Sequence, residues 1–506
     1  MGIKKNIIKE NSYKDSVFLM QIASELEKMD IVTSASLMMG TPANKEIIKS
    51  SALLTEDGEN ASNNDLIIAI EAIDESSIST IIEIIEEKFS ATVDFESDSA
   101  FTPPTIESAL KTFKEANFAL ISVAGTYAAR EARIALDNGL HVMIFSDNVT
   151  LENEIKLKQI AYEKDLLLMG PDCGTAIVNG VPLGFANRIP DGDIGIVAAS
   201  GTGLQEVSVT IAKSGGGITQ AFGTGGRDLS RDVGGLTMLK ALDYLISADT
   251  TRIIVLISKP PHPEVAAKII QQSKSTSKPV VICFLGSAAK EPEDNIIYGS
   301  TLEATGIIAA RLSKDLPPDV TEFSVENFDQ MIKDAKKRIA ESRRYIRGLY
   351  SGGTLCDESL DILKDSLITT YSNAGKDDEH RLDDLNKSIE HTLIDMGEDE
   401  FTRGRPHPMI DLSLRNKRIL QEAADPEVGV ILFDLVLGYG SHPNPAGDMN
   451  DTLAKIPDDI ILVASVCGTE MDPQKYSKQV EILEKNNVIV LPTNAQAARF
   501  TAALVK

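Results

Sequence analysis

A chain of 506 residues is longer than one hydrophobic core can organise, so three or four domains are expected. Its 42% hydrophobic and 25% charged residues are those of a globular protein, and a formal net charge of −25 excludes a nucleic-acid duty, which needs clustered Lys and Arg. No window reaches the ~18 apolar residues of a membrane span, and the start "MGIKKNIIKENSYKDS" has no secretory h-region, so a cytoplasmic protein without membrane partners is the expectation. Cys173, Cys283, Cys356 and Cys467 stand far apart with no CxxC pair, which points to reduced structural thiols and to no metal site.

In chain order, residues 1–100 read as a small α+β domain of ferredoxin-like type: helix "DSVFLMQIASELEKM", strand "VTSASLMMG", helix "PANKEIIKSS", strand "DLIIAIEAI" and helix "SSISTIIEIIEEKF". The stretch "FESDSAFTPPT", with Pro103 and Pro104, reads as its exit linker. Residues 115–190 form a Rossmann-like βαβ unit. Its turns (Ala124, Gly125 to Tyr127; Ser146, Asp147, Asn148; Gly170, Pro171, Asp172 to Gly174) fall on one sheet edge, where open α/β sheets bind ligands.

Residues 191–330 supply strands "IGIVAAS", "GITQAFG", "RIIVLIS" and "PVVICFLG", and the charged helical stretch "VENFDQMIKDAKKRIAESRRYI" reads as a connector. Residues 346–506 repeat them: "HTLIDMG", "VGVILFDLVLG" and "IILVASVCG" answer the last three strands in the same order. A Gly- and Arg-bearing loop follows "GITQAFG" and another follows "HTLIDMG". Two such units suggest a duplication whose active faces pack together. The fold class is therefore multidomain α/β with largely parallel sheets.

"AASGTG" places Ser200, Gly201, Thr202 and Gly203 where a strand turns into a helix, so unpaired N–H groups and the helix dipole can take an anion. A plain N-cap is the bland alternative. A nucleophile elbow would need glycines where Ala198 and Thr202 stand. In "FGTGGRDLSRDVGG", Gly225 and Gly226 let backbone approach a ligand and Arg227 can clamp an oxyanion, unless it merely pairs with Asp228 or Asp232. "TRGRPHPMID" brings Arg403, Arg405 and His407 together; the arginines suit ligand contact and His407 acid–base work, or simple hydrogen bonding. His442 in "LGYGSHPNPAG" and Cys173 in "GPDCGT" are weaker candidates for a base and a nucleophile.

The run "GPDCGT…GIVAASGTGLQEV…GTGGRDL…KPVVICFLG" resembles the alpha subunit of succinyl-CoA synthetase, and "SGGTL…GVILFDLVLG" resembles the carboxy-terminal domain of its beta subunit. "SVFLM", "MGTPANK", "ALISVAGTYAA", "FSDNVTLE", "GRDLSRDVGG", "GRPHPMID" and "GTEMDPQ" are similar to the FdrA family along nearly the whole chain. The resemblance implies a CoA-binding-like Rossmann unit followed by two flavodoxin-like ligase domains. CoA is the one cofactor it admits, at the edge formed by Ala124, Gly125, Ser146, Asp147, Asn148, Pro171 and Asp172.

The chain departs from the synthetase at its chemistry. No histidine occurs from Pro263 to Glu379, where the phosphorylated histidine would stand; Lys259 and prolines replace the acid that orients it; and no ATP-grasp domain precedes the last unit. FdrA-like proteins imply instead a subunit of an oxamate carbamoyltransferase of allantoin breakdown. That oligomeric enzyme works with companion subunits on carbamoyl phosphate and oxamate. Ser200 to Gly203 with Gly225 and Gly226 would hold phosphate, Arg227 or Arg405 would stabilise charge, and His407 would move a proton. An acyl-CoA synthetase completed by a partner chain is the alternative.

Overall fold

The computed structural model describes residues 2–505 apart from 13, 15, 28, 30, 92–102, 288–290, 320–322, 324, 375–377 and 403–404. The chain divides into two units. One comprises Met1–Thr102 with Glu398–Asp411, the other Pro103–Gly397 with Leu412–Lys506.

In the first unit, strands Ile3–Lys9 and Val32–Met39 flank Leu66–Ala72, all antiparallel. Alternation divides the central strand between two cores. Leu66, Ile68 and Ile70 face Leu19, Ile22 and Ile81 of helices Ser16–Glu27 and Glu75–Ala91, while Ile67 and Ala69 face Ile48, Leu53 and Ala61. The strand Ile3–Lys9 was not expected. Its three lysines hide the apolar alternation, yet it pairs residue for residue with Leu66–Ala72.

The second unit holds three sheets. Strands Phe118–Ile121, His141–Ile144 and Leu168–Met169 pair in parallel in straight sequence order. Two larger sheets share one topology. In the first, Ile296–Tyr298, Val280–Phe284, Ile253–Ser258, Asp191–Ala198 and Ile218–Gly223 lie side by side in parallel. A hairpin, Thr175–Val178 with Val181–Gly184, extends that sheet antiparallel beyond Ile218–Gly223. In the second, Val488–Leu491, Ile461–Cys467, Val428–Val436, Tyr345–Tyr350 and Thr392–Asp395 repeat the parallel order. Each is the doubly wound flavodoxin-like order, with its strand reversal beside the first strand.

Sequence periodicity extended the charged connector to Tyr345 and Ile346, but its helix is Phe328–Arg338, and Tyr345–Tyr350 opens the second duplicate. The apolar run was masked by Arg347, which is fully buried and paired with Glu422 at 2.7 Å and Asp425 at 2.9 Å. Strand Val428–Val436 is buried at every residue, as a sheet covered on both faces requires. Among the described residues no helix is long and apolar enough to cross a membrane.

Candidate functional site

Each duplicate turns from its first strand into a helix through a short run of small residues. In "AASGTG", Ser200 is the N-cap of helix Gly201–Lys213, its Oγ accepting the Gly203 N–H at 2.9 Å. In "YSGGTL", Gly352 caps helix Gly353–Asp365. The two helix starts meet. Ser200 Oγ lies 2.6 Å from Thr354 Oγ1, and a Cβ on Gly352 would stand 2.9 Å from Thr202 Cγ2. Ser200 with Thr354, and Gly352 with Thr202, are thus matching contacts about a pseudo-twofold relation between the duplicates.

The relation continues behind the turns. Glu206 Oε1 accepts the N–H of Asn494 at 3.0 Å, and Glu358 Oε1 accepts the N–H of Leu302 at 2.7 Å. Each glutamate rides on its own domain's first helix and reaches the last helix of the other domain. Glu358 is fully enclosed, and burial pushes its carboxyl up to about 8, against the hydrogen bond from Asn494 that favours the ionised form.

Side chains brace the second turn. Asp434, fully buried, accepts the N–H groups of Ser351 and Gly352, each at 2.8 Å, and receives Arg415 Nη1 at 2.9 Å. Beside it, Lys259 Nζ lies 2.7 Å from Asp357 Oδ2. A Cβ on Gly353 would stand 3.7 Å from that ammonium and 2.3 Å from Asp395 Oδ2. Two helix N-termini, each carrying roughly half a positive charge, therefore converge on two hydroxyls beside a half-exposed lysine. Helix N-termini are general anion sites, and this meeting point already holds Asp434 on the Gly352 N–H and Asp357 on the Lys259 ammonium. It lies at the strand-order reversal, beyond the ends of Asp191–Ala198 and Ile253–Ser258, where doubly wound sheets bind ligands.

The second glycine-rich loop adjoins this turn and then leaves it. Thr224 N–H donates to Ala198 O at 2.8 Å, but Gly225, at φ +84°, presses against the Rossmann edge: a Cβ there would stand 2.2 Å from Pro171 O. Gly226 has open space around it. Arg227 pairs with neither Asp228 nor Asp232. Its Nη2 donates to Val149 O at 2.7 Å and its Nε pairs with Glu154 at 2.8 Å, which sets the guanidinium beside the turn of Ser146, Asp147 and Asn148. Asp228 is buried instead, accepting from Thr237 and Met238 at the start of helix Leu236–Ser247 and from Lys158 Nζ at 2.7 Å. Lys158 also pairs with Glu154 at 3.0 Å, so one buried cation ties the loop to the Rossmann unit.

On that edge Ala124 caps helix Gly125–Asp137, and a Cβ on Gly125 would stand 2.2 Å from Asp147 O, so these turns touch. Asp172 N–H donates to Ser146 O at 3.0 Å. The three strands behind them run in order without a reversal, so the edge lacks the switch-point crevice of a complete dinucleotide fold. The edge presents the helix start at Gly125 and the half-exposed Arg227.

Cys173 is no nucleophile. It is buried, donates to Gly223 O at 3.4 Å, and burial pushes its thiol up to about 12. Arg405 and His407 belong to the unit built on Met1–Thr102, not to the one that holds Ser200; Arg403 lies outside the described residues. Arg405 is exposed, and His407 Nδ1 accepts the N–H of Met409 at 3.2 Å. His442 and His262 do the same two residues on, from Asn444 at 3.1 Å and Glu264 at 3.3 Å. Sequence reasoning missed Thr354, Lys259, Asp434 and Arg415 as site residues. "SGGTL" answering "SGTGL" was the available signal for the first.

The architecture defines the class, α/β proteins of the CoA-ligase type, and the family comparisons agree. A model described as CoA-ligase matches residues 349–504, one described as CoA binding domain matches 190–286, and one described as AllF, heavy metal-associated domain matches 1–102. The chain is 44% identical to the uncharacterized protein YahF of Escherichia coli K12 over 493 residues, covering 96% of this chain and 95% of that one. It is 26% identical over 205 residues to the alpha 1 subunit of an ADP-forming succinate–CoA ligase of Archaeoglobus fulgidus, 39% of this chain and 68% of that one. The chain belongs to the FdrA family of succinyl-CoA-synthetase-alpha-like proteins. Among solved structures, the dinucleotide-forming acetyl-coenzyme A synthetase 1 of Ca. Korarchaeum cryptofilum aligns over 77% of this chain and 82% of its own at 15% identity, with a TM-score of only 0.29.

Proposed function

We propose that the paired helix starts bind phosphate or an acyl phosphate, and that the chain, with companion subunits, moves a carbamoyl group between oxalurate and phosphate. One observation carries this reading. Ser200 and Thr354 bring two helix N-termini together beside Lys259, while the sequence from Pro263 to Glu379 has no histidine to carry the phosphoryl group covalently. A site that keeps its anion pocket without the covalent carrier suits a free acyl phosphate.

In the forward step a phosphate oxygen attacks the carbamoyl carbon of oxalurate. The C–N bond to the oxamate amide breaks, its nitrogen takes a proton, and carbamoyl phosphate and oxamate leave. First-turn N–H groups of Gly201, Thr202 and Gly353, with the Ser200 and Thr354 hydroxyls, orient the phosphate. Lys259 adds charge as the tetrahedral centre forms. Arg227, with Gly225 and Gly226, enters this proposal as the arm toward the Rossmann edge.

The assay mixes the purified chain and companion subunits with oxamate and carbamoyl phosphate and measures oxalurate. Its absence, together with ATP-dependent thioester formation from an acid and CoA, would refute the transferase reading. The match to CoA-ligase and CoA-binding models favours that second reading, an acid–thiol ligase completed by a partner subunit. There CoA supplies the acyl-accepting thiol, and the Gly125 helix start and Arg227 would hold its diphosphate.

A further inference from the structure

The first unit carries the name of a metal carrier, and its donor set can be tested against that name. Heavy metals of the soft class are held by thiolates and imidazoles. Residues 1–102 contain neither cysteine nor histidine; the first cysteine of the chain is Cys173 and the first histidine His141. The soft atoms that remain are methionine sulfurs, and those of Met29, Met38 and Met39 are packed into two apolar cores. Met38 and Met39 are consecutive on strand Val32–Met39, so they point to opposite faces; Met38 packs into the core around Ile48, and Met39 and Met29 into the core around Ile68.

Hard-metal ligation fares no better. Asp65 is spent on the N–H groups of Asn11 at 2.9 Å and Ser62 at 2.7 Å, which hold its carboxyl below the usual range. Among the described residues no group of three His, Cys, Asp or Glu is placed to hold a cation.

The sheet is also closed on both faces. Helices Ser16–Glu27 and Glu75–Ala91 cover one, and the segment from helix Pro42–Ser50 to Ala61 covers the other. Asn6 pins that second cover: its Nδ2 donates to Leu53 O at 2.9 Å, and its Oδ1 accepts the Thr55 N–H at 2.8 Å. Lys45 adds a bond to Glu59 O at 2.9 Å.

What the domain does gather is a distant piece of its own chain. Glu398–Asp411, which leaves the second duplicate after strand Thr392–Asp395, joins this unit. Within it Met409 and Ile410 are 6% and 8% exposed, although they sit in a turn-rich loop, where backbone usually runs over the surface. Short local bonds set the loop's shape: Ile410 N–H donates to His407 O at 2.8 Å and Arg405 N–H to Thr402 O at 3.0 Å.

We propose that the heavy-metal-type domain of this chain holds no metal and serves as a dock for the chain's own Glu398–Asp411 loop, with Met409 and Ile410 as the anchoring side chains. This inference does not depend on which reaction the paired helix starts perform.

Two measurements on the full-length chain test it. In the first, the reduced chain is mixed with Zn²⁺ or Cu⁺ bound to a chromogenic chelator. The chelator is expected to keep its metal. Transfer of one equivalent that also slows amide exchange within residues 1–91 would overturn the proposal. In the second, hydrogen exchange is compared between the natural chain and the variants Ile410→Asp and Met409→Ala. Exchange in peptides from residues 3–91 is expected to accelerate by ~10-fold or more, with strands Asp191–Ala198 and Val428–Val436 unchanged. Unchanged exchange in residues 3–91 for both variants refutes the dock. If Ile410→Asp unfolds the whole chain, the milder Met409→Ala decides between these outcomes.

Discussion

Glu206 and Glu358 perform the same act in opposite directions: each leaves the helix that begins at its own domain's small-residue turn and accepts the N–H that opens the last helix of the other domain. With Glu303, which receives Gln496 Nε2 at 3.2 Å and Arg499 Nη1 at 3.4 Å, they bury three carboxyls between the duplicates.

The burial of Glu358 fixes a pH dependence. A carboxyl whose folded value, about 8, stands above its unfolded value, near 4.5, favours the native state fully below pH ~4.5. The contribution declines as pH rises between the two values and is lost above the folded one. Denaturant midpoints of the natural chain should therefore fall from pH 5 to pH 9 relative to Glu358→Gln. Parallel curves would show that Glu358 does not titrate there.

Ser200→Ala removes both the cap on Gly203 and the hydroxyl that meets Thr354. Loss of an N-cap costs ~1 kcal/mol, so unfolding should shift modestly. Calorimetric titration with inorganic phosphate should show a clearly larger loss of affinity. Equal phosphate binding by both proteins would take Ser200 out of the site.

Lys259→Ala tests the charge beside the second turn. A charge-assisted hydrogen bond is worth ~1.5–3 kcal/mol, so phosphate affinity should drop by roughly tenfold or more. Asp357, which loses its cation, should not rescue it. Lys259→Arg should retain most of the affinity, and indifference to both changes would assign the lysine to surface pairing alone.

Lys158 is fully enclosed with Asp228 and Glu154 on either side. Removing one member of a buried ion cluster costs about 3–5 kcal/mol. Lys158→Met is expected to lower stability by that order and to loosen the loop at Gly225, detected as protease cleavage between Phe222 and Leu236.

Gly225→Ala should destabilise through the backbone. Its φ of +84° is strained for any L side chain, and the added carbon would stand 2.2 Å from Pro171 O, a main-chain atom that cannot swing aside. A loss of at least ~1–3 kcal/mol is expected by chemical denaturation. Gly226→Ala, with open space around it, should cost far less.

The duplicated sheets were legible because their strands are apolar runs closed by small-residue turns, and "RIIVLIS" and "VGVILFDLVLG" announce themselves. Strands Ile3–Lys9 and Tyr345–Tyr350 were not, since each carries cations within its run and only tertiary pairing explains them. The same blindness hid Asp434 and Arg415, which look like ordinary residues of a strand and a helix until the fold buries one against the other. Ser200 to Gly203 could be read because a turn's chemistry is local. Thr354 could not, as it joins Ser200 across 154 residues.

The three His-Pro dipeptides, at His262, His407 and His442, share more than a turn. An imidazole nitrogen that accepts a main-chain N–H holds its lone pair there, so the neutral ring carries its proton on Nε2. Each loop thereby selects one tautomer of its histidine, with Nε2 as the hydrogen-bond donor. Protonating Nδ1 would cost the turn this hydrogen bond, so the charge of each ring is coupled to the backbone that follows it.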